Sequence, residues 1–301
     1  MDRQPHRVSW KTLTAGAALA WLPMGAAPSQ SAILFQERFD TPKLASRGWY
    51  DQTETSLSTE QHVGSGGSSV EYRFLSGATK PTAGSPLRKH FAASDAVYLS
   101  YQVKYGAGWV GSQRPYHPHE FHFLTTLDDS WAGLSFTRLT AYVEQNGGTP
   151  VVAIQDGRNV DQTNVGKNMA PITERRAVAG CNGSSDGYAD NCYRGGEGFV
   201  NEKKWKAPSK LFTDDAWHLV EAYFRMNTIA AGKGVNDGVV QYWLDRRLVI
   251  DHQDVLLRTG ASASMQFNQL VIAPYIGDGS PVDQSMWIDD VTVATGRPAA
   301  R

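Results

Sequence analysis

The sequence predicts an all-β protein, an antiparallel sandwich, barrel or jelly roll. Three observations carry this reading. Helical periodicity is almost absent after residue 35. Period-two alternation of apolar and polar residues recurs along the chain, which is the pattern of half-buried strands. Nine Trp, twelve Tyr and eleven Phe accompany 29 Gly, a composition that favours strands joined by tight turns.

The elements follow in order. Val97–Lys104 sets Val97, Leu99, Tyr101 and Val103 against Ser100, Gln102 and Lys104. His119–Leu124 sets Phe121 and Phe123 against Glu120 and His122. Leu139–Glu144 sets Leu139, Ala141 and Val143 against Thr140, Tyr142 and Glu144. A strand at Val151–Gln155 follows the turn Asn146–Gly148. Residues from about 156 to 212 are polar and irregular and read as long loops over one rim. The clearest strand is His218–Asn227, with Val220, Ala222, Phe224 and Met226 opposite Glu221, Tyr223, Arg225 and Asn227. Val239–Asp245 and Leu248–His252 flank a tight hairpin at Asp245-Arg246-Arg247. Gln269–Tyr275 and Trp287–Ala294 complete the series, separated by Gly277–Pro281.

Charge and composition exclude several classes. Lys plus Arg is 29 and Asp plus Glu is 30, so no basic excess suggests nucleic acid. A hydrophobic content of 41% excludes wholesale disorder and supplies a sizeable core. The first 32 residues read as a secretory signal: Arg3, Arg7 and Lys11, then the apolar run Leu13–Ala27, with cleavage after about Ala27 or Ala32. A short anchor is the alternative, although the run is short for a membrane helix of about 20 residues. Residues 33–301 show no internal repeat or composition break and read as one domain. A secreted or periplasmic monomer without a membrane span is expected. Cys181 and Cys192 close one polar loop and most simply form a disulfide in an exported chain, with two free thiols as the alternative.

The C-terminal third carries a recognisable arrangement. It runs DDAWHLVEAYFRMNT, NDGVVQYWLDRRLVIDHQDVLLRT, NQLVIAPYIGDG and MWIDDVTVA. FQERFD at Phe35–Asp40, with Gly48-Trp49 after it, matches a first strand of the same architecture. Together these resemble the concanavalin A-like β-jelly-roll domains of bacterial polysaccharide lyases and their uncharacterised relatives. The resemblance covers most of residues 33–297. It implies two curved antiparallel sheets with a saccharide chain on the concave face. The E-x-D-x-x-E run of laminarinase-type hydrolases is missing. So are the alginate lyase motifs Q-I-H and R-T/S-E-x-R, and YFRMNT only faintly echoes Y-F-K-x-G.

Elimination at a uronate needs a group that stabilises the carboxylate, a base for the C5 proton and an acid for the leaving oxygen. The polar strand faces supply that kit in Gln102, Lys104, His122, Tyr142, Gln155, Tyr223, Arg225 and Asn227. If those strands adjoin, the side chains line one surface; otherwise they are the ordinary polar faces of solvated sheets. The expected catalytic set is His122 as base or carboxylate neutraliser, Tyr142 or Tyr223 as acid/base, and Arg225 with Lys104 holding the carboxylate. Gln102, Glu120, Glu144, Gln155, Asn227, Arg114 and His119 are expected to bind substrate.

The segment Arg114–His122 also admits zinc at His117, His119 and His122. An extended strand opposes this, because it points His119 and His122 to opposite faces. A structural calcium site is expected where Glu37 and Asp40 meet Asp289 and Asp290, if the first and last strands pair. Glu120, Glu144 and Glu221 keep glycoside hydrolysis open. Non-catalytic carbohydrate binding is the other alternative, with Trp109, Trp131, Tyr142, Trp205 and Tyr275 as stacking platforms. Trp49, Trp217 and Trp287 are expected in the core.

Overall fold

The computed structural model describes Met1 and residues 31–113, 119–127, 139–155 and 203–298. All of these except Met1 belong to the unit Ser31–Arg301. The export segment, Arg114, His117, Trp131 and both cysteines lie outside the described residues. No helix among the described residues is long and apolar enough to cross a membrane.

Two antiparallel sheets form the unit. The first is eight-stranded. Its order is β15 (Arg247–Val255), β14 (Gly238–Leu244), β11 (Trp217–Arg225), β6 (Ala96–Tyr105), β17 (Gln284–Ala294), β4 (Ser69–Phe74) and β3 (Ser56–Ser58). The remaining strand, β1 (Ile33–Glu37), pairs with β17, so the first and last strands do lie side by side. The second is seven-stranded. Its order is β10 (Lys203–Lys206), β9 (Thr149–Gln155), β8 (Thr140–Asn146), β7 (His119–Leu124), β16 (Phe267–Tyr275), β5 (Leu87–Ser94) and β2 (Trp49–Asp51). A small hairpin joins β12 (Ile229–Ala230) to β13 (Lys233–Gly234). Strand β10 falls inside the stretch read as loop; Trp205 is its inward residue, and the strand pairs with β9.

The two sheets bury their apolar faces against each other. Tyr101 of β6 stacks on Phe121 of β7 at 4.0 Å between centroids. Phe123 of β7 meets Phe224 of β11 edge-on at 6.3 Å. Each fully buried aromatic of this kind contributes roughly 1.5–3 kcal/mol by leaving water. Trp49 is buried as expected, but Trp205, expected as a platform, also belongs to the core. Trp217 and Trp287, expected in the core, are half-buried on the outer face of the first sheet. The reason is phase: on β11 and β17 they alternate with Val220, Ala222, Met286 and Ile288, which point inward.

Turn chemistry sets the hairpins. Asp245 and Arg246 both have positive φ, 50° and 67°, as a two-residue type I′ turn between β14 and β15 requires. Asp245 holds that turn to β11 by accepting from the Leu219 N–H at 2.9 Å and pairing with His218 Nδ1 at 2.8 Å.

Two irregularities shape the sheet faces. In β17 the register slips between Asp289 and Thr292, leaving Asp290 in a left-handed conformation with φ 50°. In β16 it slips between Ile272 and Tyr275 opposite β7. Pro274 sits in that interval. Proline has no N–H to donate to a ladder and is tolerated in sheets at such bulges.

Candidate active site on the outer face of the second sheet

Opposite the bulge at Pro274, β7 departs from strict alternation. Strict alternation would put Glu120 beside His122. Instead Glu120 turns into the core, where it accepts a hydrogen bond from Tyr105 at 2.7 Å. His119 turns outward and lies 5.6 Å from His122 between ring centroids. The two histidines therefore share a face, contrary to the expectation from an ideal strand, and Glu120 is withdrawn from the candidate substrate-binding residues.

Cross-strand pairing lines up the outward residues. One row runs Lys204, Ala153, Tyr142, His122, Val271, Arg88 and Tyr50 across β10, β9, β8, β7, β16, β5 and β2. The next runs Gln155, Thr140, Leu124, Gln269 and His90. His122 and Tyr142 face each other edge-on at 4.6 Å. His119 lies 4.9 Å from Tyr142, and its Nδ1 is 3.3 Å from Glu144 Oε2. The Tyr142 hydroxyl donates to Gln155 Oε1. Tyr275 lies nearly parallel to His119 at 6.4 Å.

Arg88 fixes the other side of this row. Its Nε donates to Asp51 Oδ2 at 3.0 Å and its Nη1 to Gln269 Oε1 at 2.8 Å. Gln269 in turn donates to the Thr126 carbonyl at 3.0 Å. At the far end Tyr50 and His90 are hydrogen-bonded at 2.7 Å. Arg88 and Lys204 were not foreseen, because no strand was assigned to 87–94 or 203–206; Gln269 opens a strand that was expected but was not singled out. LRKHF, with three polar residues between Leu87 and Phe91, carries no alternation that could have found the strand.

Burial decides what this polarity means. Arg88, His122, Tyr142, Glu144 and Gln269 are each at most 5% exposed. A sheet face is ordinarily polar because water wets it; these groups are polar and sheltered from water. Charged and hydrogen-bonding side chains withdrawn from solvent must find partners, and clusters of them mark functional sites. Burial also holds the Lys204 amine below its usual range, with Lys206 adding to the effect and Glu144 opposing it.

The remaining expected residues lie elsewhere. Gln102, Lys104, Tyr223 and Arg225 project from β6 and β11 on the outer face of the first sheet, away from His122. Lys104 pairs with Asp215 at 2.7 Å, and Arg225 donates to the Asp237 carbonyl at 2.9 Å. Asn227 is fully buried and clamps a loop: it accepts from the Leu257 and Arg258 N–H groups at 2.8 and 2.7 Å and donates to the Arg258 carbonyl at 2.9 Å. It cannot meet substrate there. The three glutamates considered for hydrolysis also diverge. Glu120 is in the core, Glu144 sits beside His119, and Glu221 is held on the first sheet by Arg297 at 2.8 and 2.9 Å. Glu221, on the first sheet, is thereby parted from the other two.

The carboxylates expected to hold calcium are engaged differently. Both Glu37 oxygens accept hydrogen bonds, from Arg47 Nε and Nη2, Trp49 Nε1 and the Phe39 N–H. Burial pulls the Glu37 carboxyl upward, but those donors outweigh it and hold it below the usual range. Asp289 accepts from the Val63 and Asp290 N–H groups. Burial, reinforced by Asp290 and Asp40 against those two donors, pushes it up to about 6. Asp290 points outward, 3.9 Å from Arg38. No group of three or more His, Cys, Asp or Glu among the described residues could hold a metal ion. Glu37 and Asp289 thus spend carboxylate oxygens on protein donors, and His117, the third histidine considered for zinc, lies outside the described residues.

No family model and no curated protein matches the sequence. Solved structures do share its architecture. The marine alginate lyase from Aplysia kurodai superposes with a TM-score of 0.58 at 10% identity, over 88% of this chain and 99% of that one. The alginate lyase vAL-1 from Chlorella virus gives 0.54 at 11% identity, over 83% and 91%. The endo-β-1,4-glucuronan lyase from the fungus Trichoderma reesei gives 0.52 at 13% identity, over 88% and 96%. The fold is the jelly-roll β-sandwich of these lyases.

Proposed function

We propose that this protein is a polysaccharide lyase that cleaves a uronate-containing glycan by β-elimination. The observation that carries the proposal is the row Tyr142, His122 and Arg88, buried together on one sheet face. Its fold likeness to alginate and glucuronan lyases supports the same reading.

The row matches the needs of the reaction. The uronate carboxylate sits toward Arg88, whose positive charge favours the electron density that builds up there as the C5 proton leaves. Gln269 and Asp51 hold the guanidinium in place beforehand, so no reorganisation is needed at the moment of reaction. His122 takes the C5 proton. The C5–H electrons form the C4–C5 double bond, the C4–O bond breaks, and the Tyr142 hydroxyl supplies the proton to the departing oxygen. Adjacent strands lie about 4.8 Å apart. Base and acid on neighbouring strands thus span adjacent sugar carbons, and Arg88, two strands beyond His122, lies roughly 10 Å away on backbone spacing. Glu144 orients His119 alongside Tyr142.

Incubation with alginate and polyglucuronate, read by ultraviolet absorbance of the unsaturated uronate product, tests the proposal. Product formation that is lost in His122→Ala and in Tyr142→Phe is the expected result. Absence of unsaturated product from every uronate polymer, with intact folding, would leave non-catalytic glycan binding as the better reading.

A further inference from the structure

The register slip in β17 does more than terminate regular pairing. It opens a cavity of about 260 Å³ on the outer face of the first sheet, between β1, β17, β6 and β11. Gln36, Arg38, Ser100, Gln102, Asp290 and Thr292 provide its polar lining. This face points away from His122 and Tyr142, because the packed core lies between them.

Three features suit this cavity to a pyranose ring. Its volume lies just below the range of roughly 300–1,000 Å³ typical of drug-sized ligands, which leaves room for one ring of a chain. Its lining includes two amides and two hydroxyls beside the charged Glu37, Arg38 and Asp290, all groups that exchange hydrogen bonds with sugar hydroxyls. The Gln102 amide makes no side-chain hydrogen bond with a described residue, while Gln36 and Thr292 are pre-oriented by their mutual bond at 3.1 Å. The third feature is backbone strain. Asp290 is a non-glycine residue in the left-handed region, a conformation that concentrates at functional sites. One row further along β6, the half-buried indoles of Trp217 and Trp287 flank Lys104 and extend the same face.

We propose that this cavity is a second glycan-binding site, which holds a pyranose residue through its hydroxyls. It is independent of the elimination chemistry, so either reading can fail alone. Affinity electrophoresis through gels containing alginate, polyglucuronate or a neutral glucan tests it. His122→Ala, which does not cut the polymer, is the background in which the cavity variants are compared, and it should be retarded. Gln102→Ala and Thr292→Phe, which remove an amide and fill the cavity, should bind about tenfold more weakly, the loss of roughly one hydrogen-bonded contact. Arg38→Ala provides a variant that does not threaten folding, since that side chain is 79% exposed, and it should also weaken retention. Retardation by the uronate polymers alone, or also by neutral glucan, identifies the source of the ring. No retardation of that background, or unchanged retardation in all three cavity variants, would overturn the site.

Discussion

His122 of β7 lies directly across from Tyr142 of β8, ring against edge at 4.6 Å, with both residues at most 5% exposed. Two groups able to move protons are thus held on neighbouring strands of a rigid sheet. If they act as base and acid, His122→Ala and Tyr142→Phe should each lower kcat by about 10²-fold or more, the scale of general acid–base contributions. The double variant should lose little beyond the worse single one, because the two serve one step. Steady-state rates of unsaturated uronate formation provide the check.

Arg88→Gln should behave differently. Loss of the cation removes carboxylate stabilisation and leaves Asp51 without its partner at 3.0 Å. Lower kcat/KM is expected, together with a stability loss of about 1–3 kcal/mol, since Arg88 is buried and hydrogen-bonded to two side chains. Denaturant unfolding alongside kinetics separates the two effects. Unaltered kinetics would remove Arg88 from the site.

Glu37 predicts a pH dependence of stability. Its folded-state carboxyl is held below the usual range, so its contribution is present above the unfolded-state value of about 4.3 and lost as pH falls through the folded one. Glu37→Gln should therefore destabilise the protein most at neutral pH, and the difference from wild type should shrink as the solution is acidified towards pH 3. Melting curves of both proteins across that range measure it. A pH-independent difference would assign the effect to packing around Trp49 instead.

Asn227→Ala should cost about 2–3 kcal/mol without touching the candidate site, because two backbone N–H groups and two carbonyls lose their partner. Urea unfolding tests the magnitude. Weaker substrate binding at full stability would restore the role expected for Asn227 from the strand pattern.

The strand pattern was legible because alternation is local. His119–Leu124 is β7 with the same ends, and Val97–Lys104, Val151–Gln155 and Trp287–Ala294 each fall within one observed strand. The short or mixed strands β2, β3, β4, β5 and β10 were missed. Arg88 and Lys204 went with them, since neither LRKHF nor KKWK declares a buried face by itself. His122, Tyr142 and Gln155 were picked out from outward positions and do meet on one face. Lys104, Tyr223 and Arg225 were picked out by the same argument and lie on the other sheet.

The amino-acid sequence by itself determined that this chain makes antiparallel strands with polar outer and apolar inner faces, because side-chain direction along a strand follows from backbone geometry alone. Only the tertiary structure decided which outer faces coincide. A sandwich has two of them, pointing in opposite directions, and period-two alternation is identical on both. The tertiary structure also decided the local exception at Pro274. There His119 lies outward beside His122 and Glu120 turns into the core to meet Tyr105, an arrangement invisible along β7 itself.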